Sequence, residues 1–286
     1  MKLSPHEHLR KVSQSFDRAT PTYEQSNRLQ KIVEENLLER LSFLKMTPQH
    51  ILDVGAGAGG LTHLLSQQYK EARVYGIDIS IKMLQTAGKK VSRDDFTLIC
   101  SDAAFLPIAS NSIDLIVSNL MLQWCQDIQT VFVEFARVLK KEGALFFSTL
   151  GPDTLKELRA SWATVDDGSH VNHFIDMHHH GDALLQAGLR DPVLDVDRLT
   201  LDYRDVNQLM QELKNIGAHN IIEDRSRGLM GKDKFKQMLA AYQQYLTKAG
   251  FLPATYEVVY GHALGILTTK SFSDKTVIPI ESIRKR

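Results

Sequence analysis

The chain has 286 residues, enough for one large domain with an attached lid or insert and for a sizeable hydrophobic core. Charged residues make up 24% and hydrophobic residues 43% of the sequence, which argues against a disordered chain, a collagen-like fibre and a coiled coil. Lys plus Arg and Asp plus Glu each total 34, and this zero formal charge argues against a nucleic-acid binder that depends on bulk basic charge.

Cysteine content and hydropathy indicate the cellular compartment and exclude some classes of protein. Cys100 and Cys125 are the two cysteines, too few for a disulfide framework or a four-cysteine zinc site, and a reducing compartment is favoured. No apolar run reaches the ~18 residues of a transmembrane helix, and the N-terminal residues lack the apolar centre of a secretory signal. We therefore expect a cytoplasmic protein with no membrane or nucleic-acid partner, and we expect it to be a monomer.

The first predicted element is a helix. From Leu29 to Leu41, apolar residues recur at three- and four-residue steps, the spacing of one buried helix face. A break that contains Pro48 follows at residues 46–49. We expect residues 1–45 to form a helical segment that covers the functional site.

Strands and helices then alternate up to residue 150. The predicted strands are nearly continuous apolar runs, as expected for strands buried on both faces. The alternation predicts a parallel sheet with helices on both sides. The predicted strands are 51–54, 73–77, 96–100, 113–118 and 145–150, and the predicted helices are 61–69, 81–89 and 131–139.

The regular alternation of predicted strands and helices ends after residue 150. Helices are predicted at 152–163, 183–187, 206–216 and 232–248, and strands at 194–203 and 256–267. Together these elements predict an α/β, Rossmann-like fold with a seven-stranded, mostly parallel sheet. We expect the core at 46–204 and 251–268, a helical cap at 205–250 and a tail at 269–286.

A glycine-rich turn is the strongest local signal. Gly55, Gly57, Gly59 and Gly60 lie between the first predicted strand of the sheet and the following helix. Glycines let the backbone turn tightly and approach a ligand, and the helix start offers unpaired N–H groups. The spacing of Gly55, Gly57 and Gly60 also satisfies a nicotinamide-dinucleotide fingerprint.

Three carboxylates favour a different cofactor. Asp53, Asp78 and Asp102 stand at or just after the ends of three successive predicted strands, so they are expected to border one crevice. Asp53 is unfavourable beside a pyrophosphate but suits a ligand with an ammonium and a sulfonium group. Asp78 can accept both ribose hydroxyls, and Asp102 can accept from the amino group of adenine. The set fits S-adenosylmethionine better than a dinucleotide.

Residues 51–150 resemble a class I S-adenosylmethionine-dependent methyltransferase on these motifs. The glycine turn has Ala56 and Ala58 where that family often has Cys and Thr, and Lys141 and Glu142 replace a Pro and a Gly before the fifth strand. The resemblance implies S-adenosylmethionine as cofactor. It also implies cofactor-binding roles for Tyr23, Asp53, Gly55, Gly57, Gly59, Asp78, Ile79, Met83, Asp102, Ala103, Asn119 and Leu120.

Further motifs narrow the resemblance. The segments 16–19, 118–127 and 170–174 read Phe-Asp-Arg-Ala, Ser-Asn-Leu-Met-Leu-Gln-Trp-Cys-Gln-Asp and His-Val-Asn-His-Phe. In this order they resemble the malonyl-(acyl-carrier protein) O-methyltransferases of biotin synthesis. The likeness extends over roughly residues 12–266. It implies methyl transfer to the free carboxylate of malonyl carried on acyl carrier protein.

The implied reaction needs no general base, because a carboxylate is already ionised at neutral pH. Positioning and removal of water are then the expected sources of catalysis, with Tyr23, Asn119 and Gln123 as positioning candidates. The malonyl carboxylate calls for a forked donor or another cation. The candidates for this role are Arg159, His173, Arg225 and Arg227.

The implied partner is acyl carrier protein, which is acidic, so a basic docking surface is expected. Arg225, Arg227, Lys232, Lys234 and Lys236 cluster around the start of a predicted cap helix. We expect no metal site, because the adjacent residues of the 178–180 histidine run cannot share one helix face.

Two alternatives differ from this hypothesis. A mitochondrial assembly-factor family related to respiratory complex I shares much of the layout, but it normally begins with a transit peptide. Phe16 lies too near the start for a long one. The second alternative is a small-carboxylate O-methyltransferase that has no protein partner.

Overall fold

A seven-stranded sheet forms the centre of the protein. The structure is a computed structural model that describes residues 4–89, 96–218 and 231–266. Within that part the strand order is β3-β2-β1-β4-β5-β7-β6, with β1 to β5 parallel to one another and β7 antiparallel to both β5 and β6. The strands are β1 His50–Val54, β2 Arg73–Asp78, β3 Phe96–Cys100, β4 Ile113–Asn119, β5 Leu139–Leu150, β6 Arg190–Tyr203 and β7 Leu252–Leu264. The predicted fold class is confirmed.

Helices cover both faces of the sheet. They are α1 Pro5–Ser26, α2 Arg28–Ser42, α3 Gly60–Gln68, α4 Ile81–Ala87, α5 Ile128–Val138, α6 Lys156–Ala163, α7 Met177–Gln186, α8 Val206–Asn215 and α9 Lys232–Tyr242. α1 begins with a capping box, in which Ser4 Oγ accepts from the backbone N–H of Glu7 and the Glu7 carboxylate accepts from that of Ser4.

Several boundaries differ from the predicted ones. α7 begins at Met177 rather than at residue 183, because Asp176 caps the helix by accepting from the backbone N–H of His178 at 2.9 Å. β5 begins at Leu139, so Lys141 and Glu142 lie within the strand and not in a turn. α9 ends at Tyr242, earlier than predicted, and continues into a short 3₁₀ turn.

The core lies on both sides of the sheet. On one side, the apolar face of α2 that the sequence predicts is buried, with Val33 and Leu41 at 0% exposure. On the other side, Phe132 and Phe135 of α5 pack against Phe147 of β5. Burial on both faces explains the continuous apolar runs of the central strands.

The N-terminal helix links the sheet domain to α8. Ser13 Oγ of α1 donates to the backbone carbonyl of Ile79 at 3.2 Å, and Ser15 Oγ donates to that of Gly217 at 3.0 Å. α1 therefore spans the carboxyl end of β2 and the turn after α8. α9 packs on α6. Among the described residues, no helix has the length and apolarity needed to cross a membrane.

Candidate active site

The glycine turn after β1 has the backbone conformation that its residues predict. Gly55, Gly57 and Gly59 have φ angles of 87°, 52° and 82°, a region that side chains disfavour. A Cβ on Gly55 would lie 2.5 Å from Cβ and Cγ of Met121. The turn is fixed to β2 because the backbone N–H groups of Gly55 and Ala56 donate to the Ile77 carbonyl at 2.8 and 2.9 Å.

Asp78 connects this turn to the end of β2. Its Oδ2 accepts from the backbone N–H of Gly57 at 2.8 Å, and its Oδ1 accepts from that of Ser80 at 2.7 Å. Burial nevertheless raises the pKa of Asp78, since desolvation outweighs these hydrogen bonds. The carboxylate is thus held rigidly at the edge of the crevice.

Asp53 lies behind the turn and is 1% exposed. Its Oδ2 accepts from Thr62 Oγ1 at 2.6 Å, while Oδ1 is buried and receives no hydrogen bond within the described part of the chain. Burial raises the pKa of Asp53 to about 7. Such a buried, half-satisfied carboxylate is suited to a cationic ligand group.

α1 closes the crevice from the other side. Asp17 Oδ1 accepts from Ser80 Oγ at 2.6 Å, so α1 is bound to the N-cap residue of α4. Phe16 packs edge-on against Trp124 at a ring-centroid distance of 5.3 Å, and His8 Nε2 contacts the Trp124 carbonyl at 2.9 Å. The sequence shows the motif that contains Phe16 and Asp17, but it does not predict the hydrogen bond between Ser80 and Asp17.

A small cavity of about 90 Å³ lies between α1 and the carboxyl ends of the strands. It brings together most of the predicted cofactor residues. They are Tyr23, Gly55, Gly57, Asp78, Ile79, Met83, Asp102, Ala103, Asn119 and Leu120. Asp102 itself caps a local turn by accepting from the backbone N–H of Ala104 at 3.0 Å.

A larger cavity of about 780 Å³ adjoins the small one. Both are lined by Phe16, Tyr23, Leu120 and Trp124, which therefore form a common wall. The larger cavity extends past apolar side chains of α6 toward α8 and the start of α9. Its shape offers room for an extended substrate arm that ends at the common wall.

Asn119 and Gln123 flank this wall, with Asn119 lining the small cavity and Gln123 the larger one. Asn119 Nδ2 donates to the backbone carbonyl of Gln30 at 3.1 Å, and Asn119 Oδ1 accepts from Ser148 Oγ at 2.7 Å. Gln123 Nε2 donates to the Leu120 carbonyl at 2.6 Å. Both amides are thus held by the backbone, which suits a role in positioning.

The larger cavity carries a small charge network. Asp166 Oδ1 contacts His170 Nε2 at 2.7 Å, and Asp166 Oδ2 accepts from Lys234 Nζ at 2.8 Å. The Lys234 and His170 hydrogen bonds lower the pKa of Asp166. The His170 ring stacks on Trp162 with centroids 3.8 Å apart. Lys214 of α8 also lines the cavity and is exposed.

Comparison with known proteins gives the family. Residues 52–147 match the family model described as a methyltransferase domain. A protein of Gallionella capsiferriformans named malonyl-(acyl-carrier protein) O-methyltransferase is 48% identical over 259 residues, which cover 88% of this chain and 89% of the relative. A Coxiella burnetii protein named malonyl-(acyl-carrier protein) O-methyltransferase 1 is 43% identical over 96% of this chain and 95% of the relative.

The chain belongs to the malonyl-(acyl-carrier protein) O-methyltransferase family. It is a methyltransferase, and S-adenosylmethionine is the methyl donor that the sequence predicts for it. Solved structures support the fold: the YcgJ protein of Bacillus subtilis has a TM-score of 0.58 at 18% identity, over 82% of this chain and 99% of that one. Phosphoethanolamine N-methyltransferase 2 of Haemonchus contortus, solved with S-adenosylhomocysteine, has a TM-score of 0.51 at 18% identity, over 82% of this chain and 52% of that one.

The residues of this methyltransferase fit the cofactor. The turn around Gly55 and Gly57 forms a cradle that side chains would fill, and Asp53 presents a buried oxygen with acceptor capacity beside it. Asp78 and Asp102 lie at the ends of the next two strands, where a ribose and an amino-bearing base require acceptors. Gly59 has a structural place as the N-cap of α3.

The two described residues that were predicted to bind the substrate of this methyltransferase, Arg159 and His173, do not line either cavity. Arg159 donates to the carbonyls of Pro152 and Thr154 at 2.8 and 3.0 Å, within its own turn, and is absent from the walls of both cavities. His173 is exposed and does not line them either. Arg225 and Arg227 lie outside the described residues.

The sequence also contains two further groups that could carry chemistry, the 178–180 histidine run and Cys125. Among the described residues, no cluster of His, Cys, Asp and Glu could hold a metal ion. Burial raises the pKa of the Cys125 thiol to about 12, which keeps it protonated and argues against a nucleophilic role. His180 is buried in the core, whereas its neighbours His178 and His179 are exposed.

Proposed function

We propose that this enzyme transfers a methyl group from S-adenosylmethionine to the free carboxylate of malonyl-(acyl-carrier protein). The observation that carries the proposal is the common wall of the two cavities at Tyr23, Leu120 and Trp124. One cavity gathers the cofactor residues, and the other has the volume for an acyl arm. The relatives' names supply the identity of the acceptor.

The chemistry needs alignment more than acid–base catalysis. S-adenosylmethionine supplies an electrophilic methyl group, and the malonyl carboxylate is already an ionised nucleophile. Tyr23 and the fixed amides of Asn119 and Gln123 lie beside the wall where the two reactants meet. They orient the carboxylate, while Phe16 and Trp124 exclude water.

Cations in the larger cavity can receive the substrate's negative charge. Lys214 of α8 and Lys234 at the start of α9 line it. Lys234 bonds to one carboxylate oxygen of Asp166, and His170 contacts the other. We propose the two lysines for this role in place of Arg159 and His173, which do not line the cavity, while Arg225 and Arg227 lie outside the described residues. Carboxylate recognition by a cation discriminates malonyl from an uncharged acyl group.

The surface around α9 suits an acidic partner. Lys232, Lys234 and Lys236 are exposed at the start of this helix, next to the mouth of the larger cavity. Acyl carrier protein is the proposed partner, and complementary charge would raise its association rate. Esterification cancels the malonyl charge, so fatty-acid synthesis enzymes can extend the product as a primer toward pimeloyl and biotin.

The decisive experiment uses methyl-labelled S-adenosylmethionine with malonyl-acyl carrier protein. Malonyl-coenzyme A and acetyl-acyl carrier protein are run in parallel. We expect base-labile label on malonyl-acyl carrier protein and none on the acetyl form, which lacks a free carboxylate. Absence of label despite intact cofactor binding would refute the acceptor and favour an assembly-factor role. Equal labelling of malonyl-coenzyme A would refute the carrier-protein requirement.

A further inference from the structure

A second acidic side chain reaches the cofactor turn from the N-terminal region. Glu34 belongs to α2, and its carboxylate lies against the turn at the start of α3. The position that a Cβ would take on Gly60 is 3.3 Å from Glu34 Oε2 and 3.7 Å from Oε1. Glycine at residue 60 therefore leaves the space that the carboxylate occupies.

Glu34 also lies near Asp53. Burial raises the pKa of each carboxyl to about 7, and the charge of Glu34 adds to the rise at Asp53. Asp53 has an unpartnered oxygen, Oδ1, although the residue is 1% exposed. Two carboxylates, one of them with a buried oxygen lacking a hydrogen bond within the described ranges, thus flank the same turn.

The other titratable groups around Glu34 do not balance these charges. On its own helix the neighbours are Glu35, which opposes ionisation, and Lys31, which favours it and is exposed. On α1, the Tyr23 ring reaches the turn, with its hydroxyl 3.9 Å from the Cβ position of Gly57. Burial, and then the charges of Asp78, Glu34 and Asp53, raise the pKa of Tyr23.

A structural role accounts for part of this arrangement. Gly59, the N-cap residue of α3, provides no side-chain cap, and a carboxylate near a helix N-terminus is stabilised by the helix dipole. One carboxylate is sufficient for that. Two partly desolvated carboxylates repel each other, and a cation nearby offsets the repulsion.

The cofactor carries such charge at its methionine end, which has an ammonium group and a sulfonium. We propose that Glu34 is a second carboxylate that, together with Asp53, attracts this cationic end electrostatically from behind the glycine turn; neither residue lines the small cavity, so the attraction acts across the turn. The inference rests on the cofactor half of the proposed function and is independent of the methyl acceptor. Binding of a cation favours the ionised acids, so a proton passes from the pair to the buffer.

Titration calorimetry of S-adenosylmethionine without acceptor tests the proposal. Measurements near pH 7 in phosphate and in Tris separate proton release from binding, because the two buffers differ in ionisation enthalpy. We expect the wild type to release a fraction of a proton. We expect Glu34→Gln to bind S-adenosylmethionine about tenfold more weakly, which corresponds to ~1.4 kcal/mol, and to release a smaller fraction of a proton.

Glu39→Gln is the matched control, since Glu39 is an exposed glutamate further along the same helix. It should keep wild-type affinity and proton release. Wild-type affinity and wild-type proton release in Glu34→Gln would overturn the proposal. If Glu34→Gln fails to fold, the wild type still gives a test: a flat profile of binding affinity as pH rises through about 7 overturns the proposal.

Discussion

The carboxylate of Asp78 accepts a hydrogen bond from the backbone N–H of Gly57 at 2.8 Å. This contact joins the end of β2 to the turn that follows β1. The residue expected to bind the ribose therefore also shapes the turn that approaches the rest of the cofactor. Loss of the carboxylate should affect both functions together.

Asp78→Ala should reduce the affinity for S-adenosylmethionine at least a hundredfold. It removes the ribose acceptor and leaves the N–H groups of Gly57 and Ser80 without their partner, and each lost charge-assisted bond is worth ~1.5–3 kcal/mol. Calorimetry measures the affinity. Asp182→Ala, on the exposed face of α7, is the control and should bind normally. Retained binding by Asp78→Ala would exclude the ribose role.

Gly55→Ala should leave a folded protein that binds the cofactor poorly. The residue has a φ of 87°, and the new Cβ would lie 2.5 Å from the Met121 side chain, so both strain and displacement follow. We expect a loss of ~1–3 kcal/mol in the free energy of unfolding, measured by urea denaturation.

Gly88→Ala is the matched control for this substitution. Its Cβ would meet nothing nearer than the Leu84 carbonyl at 3.5 Å, which is ordinary van der Waals contact. If Gly55→Ala binds S-adenosylmethionine as well as Gly88→Ala does, close backbone approach is not required at this turn.

The strand-end carboxylates were predictable from the sequence because parallel strands carry their carboxyl ends to one edge of a sheet. Asp53, Asp78 and Asp102 follow that rule and need no knowledge of packing. Asp17 and Glu34 do not follow it. They reach the site because α1 and α2 dock onto the sheet, and the sequence pattern gives only their helical faces.

The substrate side was harder to predict for a related reason. Arginine is the best hydrogen-bond donor for a carboxylate. The sequence does not reveal, however, that Arg159 donates to backbone carbonyls of its own turn. The network of Asp166, His170 and Lys234 joins a loop to a helix far along the chain. No local spacing indicates such a contact.

Tyr23→Phe tests the role of the hydroxyl at the common wall. The substitution keeps the ring that lines both cavities and removes one donor. We expect kcat to fall about tenfold or more, because orientation of the acceptor weakens, while the affinity for S-adenosylmethionine changes less than threefold. Steady-state kinetics and calorimetry measure the two effects.

Tyr245→Phe, in the 3₁₀ turn after α9, is the control and should have wild-type kinetics. An unchanged kcat in Tyr23→Phe would show that the ring alone is needed. A large loss of cofactor affinity would instead assign the hydroxyl to the cofactor.

His180 should make the protein less stable in acid. The residue is 1% exposed, packs between Phe132 and Phe147, and has neither ring nitrogen hydrogen-bonded within the described residues. Burial, and then the charge of His179, lowers its pKa to about 4 from 6.5. As pH falls through this window the unfolded chain takes up the proton first, so stability is lost between pH 6.5 and 4, by about 3 kcal/mol in full.

His180→Leu removes this titration and should flatten the loss of stability between pH 6.5 and 4, measured by urea denaturation at each pH. Glu34 and Asp53 titrate in the opposite sense, because their raised pKa means that the folded state takes up protons first as pH falls. The difference between variant and wild type isolates the histidine, since both share these acids. His178→Gln, at another exposed residue of the same helix, should keep the wild-type slope. Equal slopes for His180→Leu and the wild type would mean that His180 finds a proton acceptor in the folded core.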